Sequence, residues 1–193
     1  MLKIIFAAIS LVLGFALFIP YCVGIWKKET KPHLLTWTTW FVLTGIGFYL
    51  SFTSGGGAGA WPFALQSILC LAVVVYALIK RERNIVRIDW IIFAFVVLVL
   101  IFYVFTKDAL LSAVFAGLID SMGYIPTFRK SYAHPFQEPP LTYSLSLASW
   151  LFSILALSNY SITTLVYPTM LVFVNGGLVI FLLVRRKALK PAS

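Results

Sequence analysis

One acid in this chain sits where an acid is costly: Asp120, inside the apolar stretch Leu118-Ile119-Asp120-Ser121-Met122-Gly123. A carboxylate in hydrocarbon must pair, face water or carry a proton, so it marks a binding site or a pathway by default. The second such residue is Asn175, in Val174-Asn175-Gly176-Gly177. Asp120 lies eight residues before Phe128, and Asn175 nine before Val184, the inner ends of their apolar runs. At 1.5 Å per residue both are roughly 12–14 Å deep, in one layer near mid-membrane. The two are expected to meet there, Asn175 donating a hydrogen bond to the carboxylate or sharing a substrate with it. The structural alternative is that they bond each other, or backbone groups, and hold helices together.

The aromatic residues extend this candidate site. Trp37 and Trp40 are three apart and share a helix face. Trp37 reads as an interface anchor, as do the belt residues Trp26, Trp61 and Trp90. Trp40 and Trp150 are deeper, where a ring lines a pocket or packs; aromatic faces suit a sugar ring, a nucleoside or an apolar amino acid. Gln66 is the strongly polar residue closest to this layer on its helix. Pro20 and Pro126 each remove a backbone hydrogen bond near the inner end of a helix, as a hinge or as a static kink. The substrate-binding set is therefore Asp120, Asn175, Trp40, Trp150 and Gln66, and the gate set is Pro20 and Pro126.

Other chemistries find no residues. Cys22 and Cys70 lie in apolar runs and form no disulfide framework. His33 and His134 sit in loops without a second ligand, so no metal and no cofactor is expected. The loop Ser54-Gly55-Gly56-Gly57-Ala58-Gly59 lacks the Lys-Ser/Thr of a phosphate loop and reads as a flexible connection. Asn159-Tyr160-Ser161 matches a glycosylation sequon, but its turn hugs the membrane. A membrane aspartyl protease needs a second buried acid, and a desaturase needs a histidine cluster. A retinal Schiff base needs a lysine within 162–184, where none occurs. The chain is read as no enzyme.

The elements that must position these residues follow from composition. Of 193 residues 61% are hydrophobic and 11% charged, with mean hydropathy +0.98. Soluble domains are nearer to ~45–50% apolar and ~25% charged, so lipid is the expected solvent. Seven apolar stretches are long enough to span, at 4–26, 34–53, 60–79, 88–106, 109–128, 141–158 and 162–184. The fourth has almost no polar residue and no role in a pathway. The stretches between are short and leave no room for a soluble catalytic or DNA-binding domain.

The net charge of +9 resolves by position. Thirteen of the fifteen basic residues follow the first, third, fifth and seventh spans, among them Lys27, Lys28, Lys31, Arg81, Arg83, Arg129, Lys130 and Lys190; only Lys3 and Lys107 lie on the other side. By the positive-inside rule the N-terminus is outside and the C-terminus cytoplasmic, and nucleic acid is not needed to explain the charge. The first span is too long for a cleaved signal peptide, and its basic cluster follows it.

A shift of 106 residues superposes Ile19-Pro20 on Ile125-Pro126, Leu35-Thr36 on Leu141-Thr142, Pro62 on Pro168 and Leu65 on Leu171. Helices one to three (4–79) thus match helices five to seven (109–184), with the fourth (88–106) as a linker, which keeps both units in one orientation. The expected fold is an all-α membrane protein of seven transmembrane helices in two parallel three-helix repeats, forming one domain. Asn175 falls on Leu69 and Asp120 on Gly14 under the shift, so the pocket is asymmetric.

With these features the chain resembles the SWEET and PQ-loop superfamily: Pro20 and Pro126 near the cytoplasmic ends of the first and fifth helices, each followed by basic residues. It is also similar to a group of bacterial membrane proteins in the segments Lys31-Pro32-His33-Leu34-Leu35-Thr36-Trp37 and Ile125-Pro126-Thr127-Phe128-Arg129-Lys130-Ser131-Tyr132. The Pro-Gln pair is replaced by Pro20-Tyr21 and Pro126-Thr127, and the second and sixth helices lack interior prolines. The resemblance implies an asparagine at the sugar site in the seventh helix, a place that Asn175 matches. It implies a transporter of a sugar or other small polar solute by alternating access, with Asp120 as a candidate for proton coupling. The alternative is a ligand receptor of KDEL-receptor-like fold without transport. The expected partners are a small-molecule substrate and the bilayer, with association into a homo-oligomer left open, and the expected location is the inner membrane if the source is bacterial.

Overall fold

Every regular element in the computed structural model is a helix, as apolar runs in lipid require, because each must satisfy its own backbone. The structure describes residues 1–27, 32, 34–80, 87–133 and 135–189. The elements are α1 (Leu2–Ala16), α2 (Phe18–Trp26), α3 (Leu34–Thr53), a 3₁₀ turn (Gly57–Ala60), α4 (Trp61–Ile79), α5 (Arg87–Thr106), α6 (Ala109–Met122), α7 (Ile125–Ala133), a 3₁₀ turn (Pro135–Gln137), α8 (Pro140–Ala156) and α9 (Ile162–Leu189). Four runs are long and apolar enough to cross a membrane: Leu2–Pro20, Leu34–Thr53, Gly57–Ile79 and Ile162–Leu189. Shorter apolar helices cover Phe93–Thr106, Ala109–Met122 and Pro140–Ala156. Large side chains point outward along them, with Phe105 82%, Phe173 74% and Ile79 72% exposed. In water such a surface would aggregate; lipid solvates it. His33, His134, Lys28, Lys31, Arg81, Arg83 and Lys190 lie outside the described residues.

The expected first and fifth helices are each interrupted. α1 ends at Ala16 and α6 at Met122, four residues before Pro20 and Pro126 respectively. That is the carbonyl a proline cannot bond and its ring crowds. Leu17 and Gly123 at the breaks keep right-handed helical dihedrals, so the chain bends there without reversing. The link from α5 to α6 does reverse, through Lys107 at φ 56°. Asp108 then caps α6, accepting from the Leu111 amide at 2.9 Å.

α4 packs against both α3 and α1, and α9 against both α8 and α6. The two trios meet along α1 with α8 and along α3 with α6, and α5 lies over α3 and α6. The seam between α1 and α8 is held by a reciprocal pair. Ser10 Oγ donates to the Ser149 carbonyl at 2.6 Å, and Ser149 Oγ donates to the Ser10 carbonyl at 2.9 Å. Across the other seam Leu43 and Ala116 belong to one apolar core with Phe63, Trp150 and Tyr167.

The glycine loop corrects one expectation. It is tightly packed, with Gly56 and Gly59 buried. Gly55 and Gly57 take φ values of 83° and 59°. A Cβ on Gly59 would come within 2.6 Å of the Leu157 amide nitrogen and 2.7 Å of the Ser153 carbonyl oxygen. The Ser158 amide donates to the Gly56 carbonyl at 2.9 Å, and Asn159 Nδ2 to the Ser54 carbonyl at 3.1 Å. Only glycine permits this backbone-to-backbone approach.

Candidate functional site

A cavity of about 500 Å³ lies between the two trios. Behind the α1 break come Leu17, Phe18 and Pro20; α3 supplies Trp37, Trp40 and Thr44, and α4 supplies Gln66. From the second trio come Asp120 and Tyr124 at the α6 break, Ser146 and Trp150 of α8, and Leu171 and Asn175 of α9. Among the described residues α5 contributes nothing to it, as its featureless sequence suggests. Two of the residues that line it, Pro20 and Pro139, are exposed. Trp150, which also lines it, packs its ring 4.6 Å from that of Phe63, a residue outside the lining. Phe63 in turn lies 4.8 Å from Tyr167, between ring centroids. A Cβ on Gly47 would meet Phe63 Cδ1 at 2.7 Å and Tyr167 Cε1 at 2.8 Å, so the backbone of α3 presses directly on this ring stack.

Asp120, Asn175, Trp40, Trp150, Gln66 and Pro20 all line this one cavity. Asp120 and Asn175 do not bond each other. Asp120 Oδ2 accepts from the Tyr167 hydroxyl at 2.8 Å, and Asn175 Nδ2 donates to the Leu171 carbonyl at 2.8 Å. The Tyr124 hydroxyl donates to Asn175 Oδ1 at 3.4 Å. The reason is register: Asn175 is one turn beyond Leu171 on the same helix, so its amide finds a local carbonyl first. Pro126 is the second residue of α7, beyond the bend, and its side chain lies outside the described ones.

Trp37 departs from the anchor expected of it. It is 7% exposed, packs at 5.7 Å on Phe18 and edge-on at 5.2 Å to Trp40, and lines the cavity. The break before Pro20 turns α2 so that Phe18 covers the indole. Trp26, Trp61 and Trp90 are exposed.

Two lining residues, Glu138 and Tyr124, and one residue bonded to the lining, Tyr167, are not apparent from the sequence. Glu138 lies in the link before α8 and accepts from the Tyr143 hydroxyl at 2.7 Å. Tyr124 follows the glycine at the α6 break. Tyr167 joins the ring stack to the cavity, its ring in the one and its hydroxyl on the acid of the other. The available signal is adjacency: Tyr167 precedes Pro168, and Tyr124 precedes Ile125-Pro126. Among the described residues no three of His, Cys, Asp and Glu gather as a metal-ligating group.

Comparison with family models, with curated proteins and with solved structures returns no significant match to this chain.

Proposed function

We propose that the chain is a membrane transporter for a small polar solute, working by alternating access between two parallel three-helix units joined by α5. The observation that carries this reading is the cavity: it is walled by both trios, and the Trp150 in its lining packs on Phe63, which packs on Tyr167; in this reading that ring stack is the closed gate. A closed structural core would not leave such a space, and a receptor would not need that gate.

The duplication has support in the helix bounds. Moving α1's end by the 106-residue shift gives Met122, the end of α6, and moving the start of α3 gives Pro140, the start of α8. In each trio the third helix packs against the other two, and the seams of α1 with α8 and α3 with α6 exchange under the same shift. In this reading all seven apolar stretches span the bilayer. The cavity opens to the cytoplasm, the glycine loop faces outside, and the resemblance to SWEET and PQ-loop proteins is one of architecture.

Asp120 is the coupling residue of the proposal. Substrate or a proton at this carboxylate competes with the Tyr167 hydroxyl, and Tyr167 passes that change to the ring stack that closes the outer side. Exchange between the two gates then requires only that the seams slide while the trios stay intact. The test is uptake into proteoliposomes of labelled sugars, amino acids, amines and vitamins, with and without a proton gradient. Wild type should concentrate one class, and Asp120→Asn, which keeps an acceptor for Tyr167, should lose the response to the gradient. Binding of solutes without any uptake would favour a receptor instead.

A further inference from the structure

We infer that the cavity takes a planar nitrogen heterocycle with a lactam edge, an N–H beside a ring carbonyl, which is the chemistry of a nucleobase or its nucleoside. This deepens the transporter reading by naming its solute. That the solute crosses the membrane rests on that reading; that it binds does not.

The rings of the wall are the first argument. Phe18, Trp37, Trp40, Tyr124, Tyr143 and Trp150 all contribute to the lining. They hold one another in place: Trp37 packs 5.7 Å from Phe18 and edge-on at 5.2 Å to Trp40, and Tyr124 lies 6.4 Å from Tyr143. Trp150 is fixed in the same way by Phe63, at 4.6 Å. Side chains already packed lose little freedom when a ligand settles among them. A flat heterocycle gains most from such neighbours, because every base has a π-face to stack on an aromatic ring.

The second argument is what the wall leaves open. Asp120 Oδ2 is taken by the Tyr167 hydroxyl, whereas Asp120 Oδ1 and the indole N–H groups of Trp40 and Trp150 have no hydrogen-bond partner among the described residues. Nor are these three groups sealed off: the described side-chain polar atoms that are both buried and unpaired are Ser51 Oγ and Ser131 Oγ. One acceptor and two donors of the lining residues are thus left for a ligand or for water. The Trp40 N–H also reaches the break that ends the helix of Asp120, since a Cβ on Gly123 would lie 3.6 Å from Trp40 Nε1. A lactam matches this set, its N–H donating to the carboxyl oxygen and its carbonyl or a ring nitrogen accepting from an indole.

The third is what the wall has already spent. Thr44 Oγ1 donates to the Trp40 carbonyl at 2.6 Å, Asn175 Nδ2 to the Leu171 carbonyl at 2.8 Å and the Tyr124 hydroxyl to Asn175 Oδ1 at 3.4 Å. These are the hydroxyl and amide donors that a sugar would need to replace its hydration, and they are used within the wall. A heterocycle asks for fewer directed bonds and more ring contact. The volume, about 500 Å³, lies within the range of small-ligand pockets.

The test uses pairs of probes that differ only in the lactam N–H. Uracil, hypoxanthine, uridine and inosine are each titrated against the derivative in which methyl groups replace every ring N–H, which keeps the ring and its carbonyls. Tryptophan fluorescence of the purified protein, excited to the red of the base absorption, gives the readout, since Trp37, Trp40 and Trp150 line the cavity. At least one of the four should bind saturably and at least about tenfold tighter than its methylated partner; bases against nucleosides tell which of the two the site is built for. Asp120→Asn should narrow that preference, because the carboxyl is what reads the N–H. Trp40→Phe, which keeps a ring and removes one donor, should weaken both members of the pair several-fold. The wild-type comparison holds even if a variant misfolds. Equal response to a lactam and its methylated partner, an undiminished preference in folded Asp120→Asn, tighter binding of glucose, or no response to any of the four would overturn the inference. Uptake of the labelled heterocycle by proteoliposomes separates the two proposals. Binding without uptake sinks the carrier and leaves the site; glucose uptake without binding of any heterocycle does the reverse.

Discussion

The two ends of the helix assembly are closed by different means. At the glycine-loop end, backbone meets backbone: Gly59 lies against Ser153 and Leu157, and Gly56 accepts from the Ser158 amide. At the proline end, bent helices hold side chains apart around a space of about 500 Å³. A contact between main chains has little freedom to adjust, because no rotamer change can relieve it. A wall of side chains on bent helices can be repacked by small rotations. The same chain therefore combines one end that is tight but all-or-none with one that is loose and graded.

The largest effect should come from filling the tight end. Gly59→Val forces a branched side chain into main-chain atoms and should cost roughly 3 kcal/mol or more. Its unfolding temperature in detergent should fall further than that of Tyr167→Phe or Pro20→Ala. A mild effect would mean that the loop end relaxes easily, and the contrast between the ends would fail.

Between the ends, Tyr167→Phe removes the hydroxyl that holds Asp120, with a loss of about 2 kcal/mol from an unsatisfied buried acid. Thermal unfolding of Tyr167→Phe, Asp120→Asn and the double variant gives the coupling. The double variant should be less destabilised than the sum of the singles, because an amide has less need of the lost donor. Strict additivity would show that ring stack and cavity do not communicate through this bond.

The smallest effect on stability should come from the loose end. Pro20→Ala restores an amide for the Ala16 carbonyl and should shift stability by no more than about 1 kcal/mol. Uptake in proteoliposomes should nevertheless fall several-fold, since the bend that shapes the cavity mouth is lost. Unchanged uptake would reduce Pro20 to a tolerated kink.

The contrast also explains what is legible in the sequence. Helix positions are legible because apolar run length and proline placement act locally: the bends before Pro20 and Pro126 follow from one missing amide each. That Asp120 and Asn175 lie in one layer is legible from depth; Gln66, a turn further out, and Trp40 and Trp150, open between pocket and packing, are seen to share the cavity only in the structure. Rotation about each helix axis is not legible. α3 and the membrane-length part of α9 show little separation of polar from apolar faces, so nothing in their pattern says which face turns inward. That is why Trp37 reads as an anchor and why Tyr167 gives no sign of its part in the site. Glu138 is hidden for another reason: it lies in a link, where its approach to the cavity depends on how α8 starts at Pro140. The glycine loop misleads because glycine serves both flexibility and close packing, and only the neighbour distinguishes them.

The serine clasp between α1 and α8 has a consequence for how the molecule comes into being. Ser10 and Ser149 are separated by 139 residues of chain. During synthesis α1 is made long before its hydrogen-bonding partner exists, and most of the other described helices are made in between. In that interval the Ser10 hydroxyl has only its own helix to bond. The clasp therefore forms late, as a ring closure that joins α1 to α8 only after the helices between them have been made.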